Sequence, residues 1–339
     1  MRQKLKILVQ FLLGCSFAFV VLECFLKISE VKLPYKTFDP QLGKTYLPNA
    51  LIHENREALY INKTNAFGFI GNALPHKKPN TIRIAVFGDS FVEAIQLARK
   101  YNFCSILERN LNQNGKQRFE VINFGLSNSV LPDVYVRKKR LAEKFHIDYY
   151  IYFFDSYDLI LDSQSVLNPI AIDDHLNIQS NTSKAVQFYS KIQPVIDNSS
   201  FTNMFLEAYI LHTRGESKKI FLDKFYQPDT TAIDYSYYDY YFKNFPKKNR
   251  KMLQALLSEK SLLVFNEKVE KELKKTLAQN NIAYYETEKA LETLREKGIN
   301  PYYWGNSNMK GHFNYEAHQV VGNLLTELVK NKLKKEATQ

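Results

Sequence analysis

The sequence is poor in the residues that mark several common protein classes. Its 339 residues include three cysteines, 12 glycines and 11 prolines. Three cysteines cannot form a disulfide framework, and so little glycine and proline excludes a collagen-like or low-complexity chain. Cys15 and Cys24 lie in an apolar N-terminal stretch, which leaves Cys104 alone in the remainder. The sequence has no Cys/His spacing typical of zinc, no glycine-rich phosphate loop and no HExxH motif, so we expect no metal site.

The overall composition is that of a globular protein. Hydrophobic residues make up 45% and charged residues 24% of the chain, which excludes a mostly disordered chain and a multi-span membrane protein. The formal net charge is +11, but the basic residues are spread out and no nucleic-acid-binding motif is present. We therefore expect no nucleic-acid partner. The charge suits a solvated surface or attraction to anionic headgroups and envelope polymers.

One long apolar run stands near the N-terminus. It covers about twenty residues from Ile7 and follows Arg2, Lys4 and Lys6. That length crosses a bilayer as a helix, and positive charge ahead of the run favours a cytoplasmic N-terminus. We expect residues 1–29 to be a signal anchor. The protein would then be a single-pass protein of a bacterial inner or cytoplasmic membrane, with its main domain facing the periplasm or the outside.

Three other interpretations of this run stay open. A cleaved signal peptide would end in a small-residue site, but no A-x-A pattern follows the run. Residues 12–15 (LLGC) loosely resemble a lipoprotein box, although residues 16–28 remain strongly apolar after the cysteine. The third interpretation is a core helix buried in the folded domain.

Downstream, the apolar runs predict an α/β domain. Residues 30–80, which contain five prolines, are expected to form an irregular lead-in segment. Continuous apolar runs then predict strands at 82–87, 119–124 and 149–154, with helices between them at 103–111 and 131–145. This alternation indicates a parallel sheet covered by helices.

The second half of the domain is less regular. We expect an insertion at about 155–258, with a helix near 201–212 and a tyrosine-rich run at 235–242. A helix near 261–279, a strand at 282–285, a helix near 287–297 and a final helix from about 315 to 333 follow. The α/β domain would thus span 81–333, and 334–339 would be a basic tail.

Two short motifs carry the candidate chemistry. Gly88-Asp89-Ser90-Phe91 directly follows the first predicted strand, at the strand end where open α/β sheets place their sites. Gly311-His312-Phe313-Asn314 directly precedes the last predicted helix, with Asn314 as its N-cap. A histidine at that place can reach back over the sheet to the serine. The pair predicts a nucleophile, Ser90, and its base, His312.

Together with two further blocks, these motifs resemble a known family. The blocks RIAVFGDSF, VINFGLSN, FFDSYD and GHFNYEAH are similar to those of the SGNH (GDSL-type) hydrolases, and in particular of membrane-anchored bacterial members and their polysaccharide O-acetylation relatives. The resemblance covers about 80–160 and 260–333. It implies a three-layer α/β/α sandwich, flavodoxin-like, around a parallel sheet of about five strands. It also implies hydrolysis or transfer of acyl groups without a metal or organic cofactor.

The resemblance also implies roles for single residues. Ser90 matches the family's nucleophile and His312 its base. The oxyanion would be bound by the N–H groups of Ser90 and Asn128, the latter standing where the family usually has glycine. The third block usually supplies an asparagine side chain, and here Ser156 or Tyr157 would have to donate instead.

The family's histidine is oriented by an aspartate two residues before it. In this sequence Lys310 occupies that place. Asp155 and Asp158, at the end of the third predicted strand, are candidate substitutes for that carboxylate. Loss of an orienting carboxylate costs about 10⁴-fold in rate.

Two functions therefore stay open. The first is a serine esterase or acyltransferase acting on O-acyl groups, acetyl above all, of envelope glycans or on small related esters. The second is an inactive SGNH-like domain that binds glycan or scaffolds an envelope complex. The tyrosine run and Trp304 suggest an aromatic surface for sugar rings, or simply packing.

Overall fold

The structure of the protein is a computed structural model. It describes residues 2–30, 33–54, 57–72, 76–113, 115, 117–161, 167–213, 245–258 and 260–338. The tyrosine run at 235–242 lies outside the described residues.

The described strands differ in kind between the lead-in segment and the main domain. Short strands precede residue 80, and the long buried ones follow it. In chain order they are β1 (Lys36–Asp39), β2 (Gly43–Tyr46), β3 (Leu51–Glu54), β4 (Tyr60–Lys63), β5 (Thr81–Gly88), β6 (Arg118–Asn123), β7 (Tyr149–Phe154), β8 (Ile170–Ile172), β9 (Ile178–Ser180), β10 (Ser261–Phe265), β11 (Tyr285–Glu286), β12 (Tyr303–Trp304) and β13 (Met309–Lys310).

The described helices include one long apolar helix at the N-terminus and several amphipathic ones in the domain. In chain order they are α1 (Arg2–Ile28), α2 (Ser90–Glu93), α3 (Phe103–Leu111), α4 (Leu131–Phe145), α5 (Lys184–Ile196), α6 (Ser200–Thr213), α7 (Lys247–Leu256), α8 (Lys271–Gln279), α9 (Glu288–Arg295) and α10 (Tyr315–Ala337).

A five-stranded parallel sheet forms the centre of the domain, in the order β11-β10-β7-β5-β6. Alternate residues of each strand face opposite sides of the sheet, and each side is covered by helices. Ala85 and Phe87 of β5 pack in the cluster that includes α4, α7 and α8. Ile84 and Val86 pack in the opposite cluster with α3, α9 and α10. The α/β/α sandwich with a parallel sheet of about five strands is therefore confirmed.

Two expectations about local structure are corrected by the structure. Residues 261–279 do not form one helix, because Ser261–Phe265 is the buried strand β10 and the helix α8 begins at Lys271. The lead-in segment is not irregular throughout. It contains two antiparallel hairpins, β1–β2 and β3–β4, because its prolines lie outside these strands.

The apolar N-terminal run forms the single helix α1. By length and composition this helix is able to cross a membrane, and a signal sequence would satisfy the same criteria. Its apolar side chains are exposed along almost the whole helix, and only Leu26 is buried. The last turns of α1 contact α6, which lies in the segment expected to be an insertion.

Candidate active site

Ser90 lies just beyond the end of β5, the strand that pairs with β7 and β6. The side chain of Asp89 caps the one-turn helix α2 and accepts a hydrogen bond from the N–H of Phe91 at 2.9 Å. A side chain at position 88 would collide with the carbonyl of Phe153 and with Val92, so the tight turn after the strand requires glycine there. This turn presents Ser90, half-buried, at the carboxyl edge of the sheet.

His312 is held by the chain on both sides of it. The indole Nε1 of Trp304 donates to the carbonyl of His312 at 3.0 Å. Asn314 caps α10, and its Oδ1 accepts from the N–H of Ala317 at 3.0 Å. The ring of Phe91 meets the imidazole edge to face, with centroids 5.1 Å apart. Trp304 is buried, so it positions this loop and offers no surface to a sugar ring.

Three side chains form a continuous chain of hydrogen bonds. His312 Nε2 lies 2.8 Å from Ser90 Oγ, and His312 Nδ1 lies 2.6 Å from Glu57 Oε1. The same carboxylate oxygen accepts from the backbone N–H of His312 at 3.2 Å. An ionised carboxylate only accepts, so Nδ1 carries the proton and Nε2 is free to accept from the serine hydroxyl. This is the arrangement of a serine–histidine–acid triad.

Glu57 comes from the lead-in segment, in the connection between β3 and β4. Its side chain is 12% exposed, and the hydroxyl of Ser307 donates to its carbonyl at 2.7 Å. The next residue, Ala58, packs with Trp304 in a small apolar cluster. A Cβ at Gly311 would collide with the Glu57 carboxylate. The absence of a side chain at position 311 is therefore what lets Glu57 reach the imidazole.

The charges around His312 make it a stronger base. Burial alone would lower the pKa of the imidazole. The hydrogen bond and charge of Glu57, joined by the charges of Asp89 and Glu93, outweigh burial and raise the pKa of His312 above its ordinary value. An imidazole that is stabilised in its protonated form accepts a proton from serine more readily.

Two backbone N–H groups point to an oxyanion site. Among the described residues, neither the N–H of Ser90 nor that of Asn128 has a hydrogen-bond acceptor. The two lie in loops that follow the adjacent strands β5 and β6. Asn128 has a φ of +56°, the left-handed conformation that asparagine adopts more readily than other residues with a side chain. Asparagine therefore keeps the backbone shape expected of the family's glycine.

The buried carboxylate of Glu93 holds the loop that contains Asn128. The carboxylate of Glu93 accepts from the N–H of Ser127 at 3.1 Å and also from its hydroxyl. The amine of Lys44, on β2, donates to the Ser127 carbonyl. Glu93 is fully buried, and burial raises the pKa of its carboxyl. Sequence reasoning missed Lys44, Glu57 and Glu93, because no motif around them distinguishes them from surface residues.

Comparison with known proteins adds a likeness of fold. No family model and no curated protein sequence matches the chain. Among solved structures, a lipase/acylhydrolase from Enterococcus faecalis is 14% identical, covers 74% of this chain and 96% of its own, and has a TM-score of 0.40. A lipolytic protein of the G-D-S-L family from Veillonella parvula is 11% identical, with 73% and 97% covered and a TM-score of 0.34. An acetyl xylan esterase from Geobacillus stearothermophilus is 10% identical, with 73% and 93% covered and a TM-score of 0.36.

The chain resembles the SGNH hydrolases. Identities and TM-scores this low assign no chemistry to the chain. The blocks of the sequence and the Ser90–His312–Glu57 arrangement carry the argument for its chemistry.

The chain departs from the SGNH pattern at the third block. Ser156 is fully buried, and its hydroxyl has no hydrogen-bond partner among the described residues. The N–H of Tyr157 donates to Asp155 at 2.9 Å, and its ring packs against the core cluster on the α4 side of the sheet. The structure therefore shows neither side chain hydrogen-bonded to Ser90 or His312.

The carboxylate expected from Asp155 or Asp158 is supplied by Glu57 instead. Asp158 is turned back to accept from the N–H of Asp155 at 3.1 Å, and burial, with the charges of Asp89 and Asp155, raises its pKa well above the ordinary range. Burial likewise raises the pKa of Asp155. Neither carboxylate is hydrogen-bonded to His312, whose Nδ1 contacts Glu57. Lys310 is exposed on β13 and is not among the groups that shift His312.

Of Asp89, Asp155 and Asp158, it is Asp89 whose negative charge helps to raise the pKa of His312. Burial raises the pKa of Asp89 to about 7, against the hydrogen bond from Phe91, and the charge of Asp155 adds to the rise. The charge of His312 opposes this rise in the pKa of Asp89.

In the described part of the chain, no group of three or more His, Cys, Asp or Glu side chains is arranged to hold a metal ion.

Proposed function

We propose that the protein is a serine esterase or acyltransferase of the SGNH kind, with Ser90, His312 and Glu57 as its catalytic triad. The observation that carries the proposal is the continuous contact from Ser90 Oγ through both imidazole nitrogens to the Glu57 carboxylate, at 2.8 and 2.6 Å. An oriented histidine hydrogen-bonded to a serine hydroxyl is the arrangement that nucleophilic acyl transfer requires.

The reaction would proceed in two steps. Ser90 Oγ attacks the ester carbonyl while His312 Nε2 takes the hydroxyl proton, and the N–H groups of Ser90 and Asn128 bind the oxyanion. His312 then gives this proton to the leaving alcohol, which leaves an acyl-serine. In the second step His312 takes a proton from water or from a sugar hydroxyl, whose oxygen attacks the acyl carbon. The bond from the acyl carbon to Ser90 Oγ then breaks, and His312 returns the proton to Ser90 Oγ. Water gives hydrolysis, and a sugar hydroxyl gives transfer.

We propose O-acylated glycan, with short acyl groups such as acetyl, as the substrate class, and the outer face of a bacterial membrane as the location. The sequence blocks that resemble those of polysaccharide O-acetylation relatives support the first proposal. The apolar helix α1, whose first turns carry basic residues, supports the second because positive charge at this end favours a cytoplasmic N-terminus and so places the domain outside.

The test uses the full-length protein in detergent micelles. We expect a fluorophosphonate probe to label Ser90 and p-nitrophenyl acetate to be hydrolysed, with both lost in Ser90→Ala. The same assays with Glu316→Gln, an exposed acid on α10, serve as the matched control. Absence of labelling in a folded wild-type protein would contradict the proposal.

One observation favours the second candidate function, an inactive glycan-binding or scaffolding domain. Neither Ser156 nor Tyr157 is seen to take the place of the SGNH block-three asparagine, so the oxyanion would have two donors rather than three. Loss of one donor costs about 10²–10³-fold. Retained binding of acetylated oligosaccharide by Ser90→Ala, together with an unlabelled wild-type protein, would favour this candidate over the enzyme.

A further inference from the structure

The helices α5 and α6 expose an unusual amount of apolar surface. Phe188 and Val195 on α5, and Phe205 and Tyr209 on α6, are each 58–67% exposed. An open apolar groove lies where the two helices meet, lined by Ile192, Val195 and Ile196 of α5 and by Phe205, Leu206 and Tyr209 of α6. Contiguous apolar surface of this kind on a folded domain marks a place where something apolar binds.

Charge is sparse on these helices. Their charged residues are Lys184, Lys191 and Glu207, and Asp197 directly follows α5. Asp197 faces the body of the protein, where its carboxylate accepts from the hydroxyl of Thr37 at 2.6 Å. The exposed charges of α5 are therefore two lysines, Lys184 and Lys191, whereas a helix that faces water usually carries charged and polar residues along its whole outer side.

The same helices are joined to α1 near its outer end. The carboxylate of Glu23 accepts from the N–H groups of Ser200 and Phe201, both at 2.9 Å, and caps α6. The rings of Phe19 and Phe201 meet edge to face at 5.1 Å. Glu23 stands five residues before Ile28, the end of α1, which is about 8 Å along a helix axis. The start of α6 thus lies beside the last apolar turns of α1.

We propose that the apolar face of α5 and α6 inserts into the outer leaflet of the bilayer that α1 spans. The proposal rests on the membrane anchoring proposed above. The outer end of α1 fixes the height of the bilayer surface, and α6 begins at that height. Phenylalanine and tyrosine side chains suit this interfacial depth, and Lys191 would lie among anionic headgroups. A surface helix binds a membrane by burying its apolar face at the boundary between headgroups and acyl chains, and lysines near that boundary add attraction to anionic lipids.

This second attachment would set the position of the candidate active site. Gln193 of α5 donates to the carbonyl of Phe38 on β1 at 2.7 Å. Phe38 pairs with Lys44 on β2, and Lys44 donates to Ser127, the neighbour of Asn128. Paired strands lie about 4.8 Å apart, so few side chains separate the inserted helices from the oxyanion loop. The site would then act on esters presented at the bilayer surface.

The experiment measures collision of nitroxide spin labels with oxygen and with a water-soluble nickel chelate. Full-length protein carrying Cys15→Ala and Cys24→Ala, with the buried Cys104 kept, is reconstituted into phosphatidylethanolamine–phosphatidylglycerol vesicles. Labels are attached through Phe188→Cys and Phe205→Cys. Phe17→Cys in α1 is the lipid reference, and Tyr285→Cys on the exposed sheet edge is the aqueous reference.

We expect labels at 188 and 205 to resemble that at 17, with oxygen collisions several-fold more frequent than nickel collisions. Labels at 188 and 205 that match 285, beside a lipid-like label at 17, would overturn the insertion and leave the anchor in place. An aqueous label at 17 would overturn both. Labels shielded from oxygen and nickel alike, with spin–spin broadening, would show that a second copy covers this face and would also overturn the proposal.

Discussion

The parallel sheet and the lead-in hairpins contribute differently to the candidate site. The sheet supplies Ser90 at the start of α2, directly after β5, and the helices on both sides bury every residue of β5 except the half-buried Ile82. The hairpins β1–β2 and β3–β4 have only small apolar clusters beneath them, yet they supply Glu57 and Lys44. The nucleophile thus comes from the buried sheet. The charged groups that set the pKa of His312 and hold the Asn128 loop come in part from the hairpin segment, through Glu57 and Lys44. Substitutions of Glu57 should therefore change the pKa of His312 without unfolding the domain.

Ser90→Ala should have the largest effect, because it removes the group that forms the covalent intermediate. We expect a fall in kcat of at least about 10⁴-fold on p-nitrophenyl acetate, with thermal stability unchanged since Ser90 is only half-buried. Steady-state kinetics and a thermal melt measure the two. Residual turnover near the wild-type rate would mean that another residue is the nucleophile.

Glu57→Gln should rank second, because it removes the negative charge beside Nδ1 but leaves the core intact. We expect kcat to fall by about 10²–10⁴-fold, while the melting temperature stays close to that of Glu316→Gln. The same rate in both variants would show that the hairpin layer has no part in the chemistry.

Gly311→Ala should rank third, because the added methyl group occupies the space of the Glu57 carboxylate. We expect a fall of about 10–10²-fold in kcat, and little further loss when it is combined with Glu57→Gln, since both disturb one contact. A double-mutant cycle measures this. Fully additive losses would mean that Gly311 acts through something other than Glu57.

Asn128→Gly should have the smallest effect, because glycine keeps the backbone N–H and adopts a positive φ without strain. We expect kcat to stay within about threefold of wild type. A large loss would mean that the Asn128 side chain, rather than its backbone N–H, binds the oxyanion or the substrate.

The sequence predicted most of the sheet and the Ser90–His312 pair, for local reasons. Apolar runs bounded by Gly88 and Gly125 identify the strands β5 and β6, and Asn314 marks the start of the last helix. The strand at 261–265 differs from the predicted helix, because a run of four apolar residues fits a strand or a helix segment equally well. Glu57 could not be predicted, since it lies 255 residues from His312 in a segment without periodicity, and only the tertiary fold brings the two together. Because Lys310 stands where the family has aspartate, the sequence suggested Asp155 or Asp158 as the orienting acid, and neither contacts His312.

The pH dependence of Ser90 labelling tests the role of Glu57 most directly. His312 must be neutral to accept the serine proton, so the labelling rate rises with pH through the pKa of His312, which Glu57, Asp89 and Glu93 raise. Removing the Glu57 charge leaves burial, which lowers this pKa. We expect Glu57→Gln to shift the acid limb of the fluorophosphonate labelling profile to lower pH and to lower its plateau. An unchanged limb and plateau in Glu57→Gln would contradict the assignment of Glu57 as the acid of the triad.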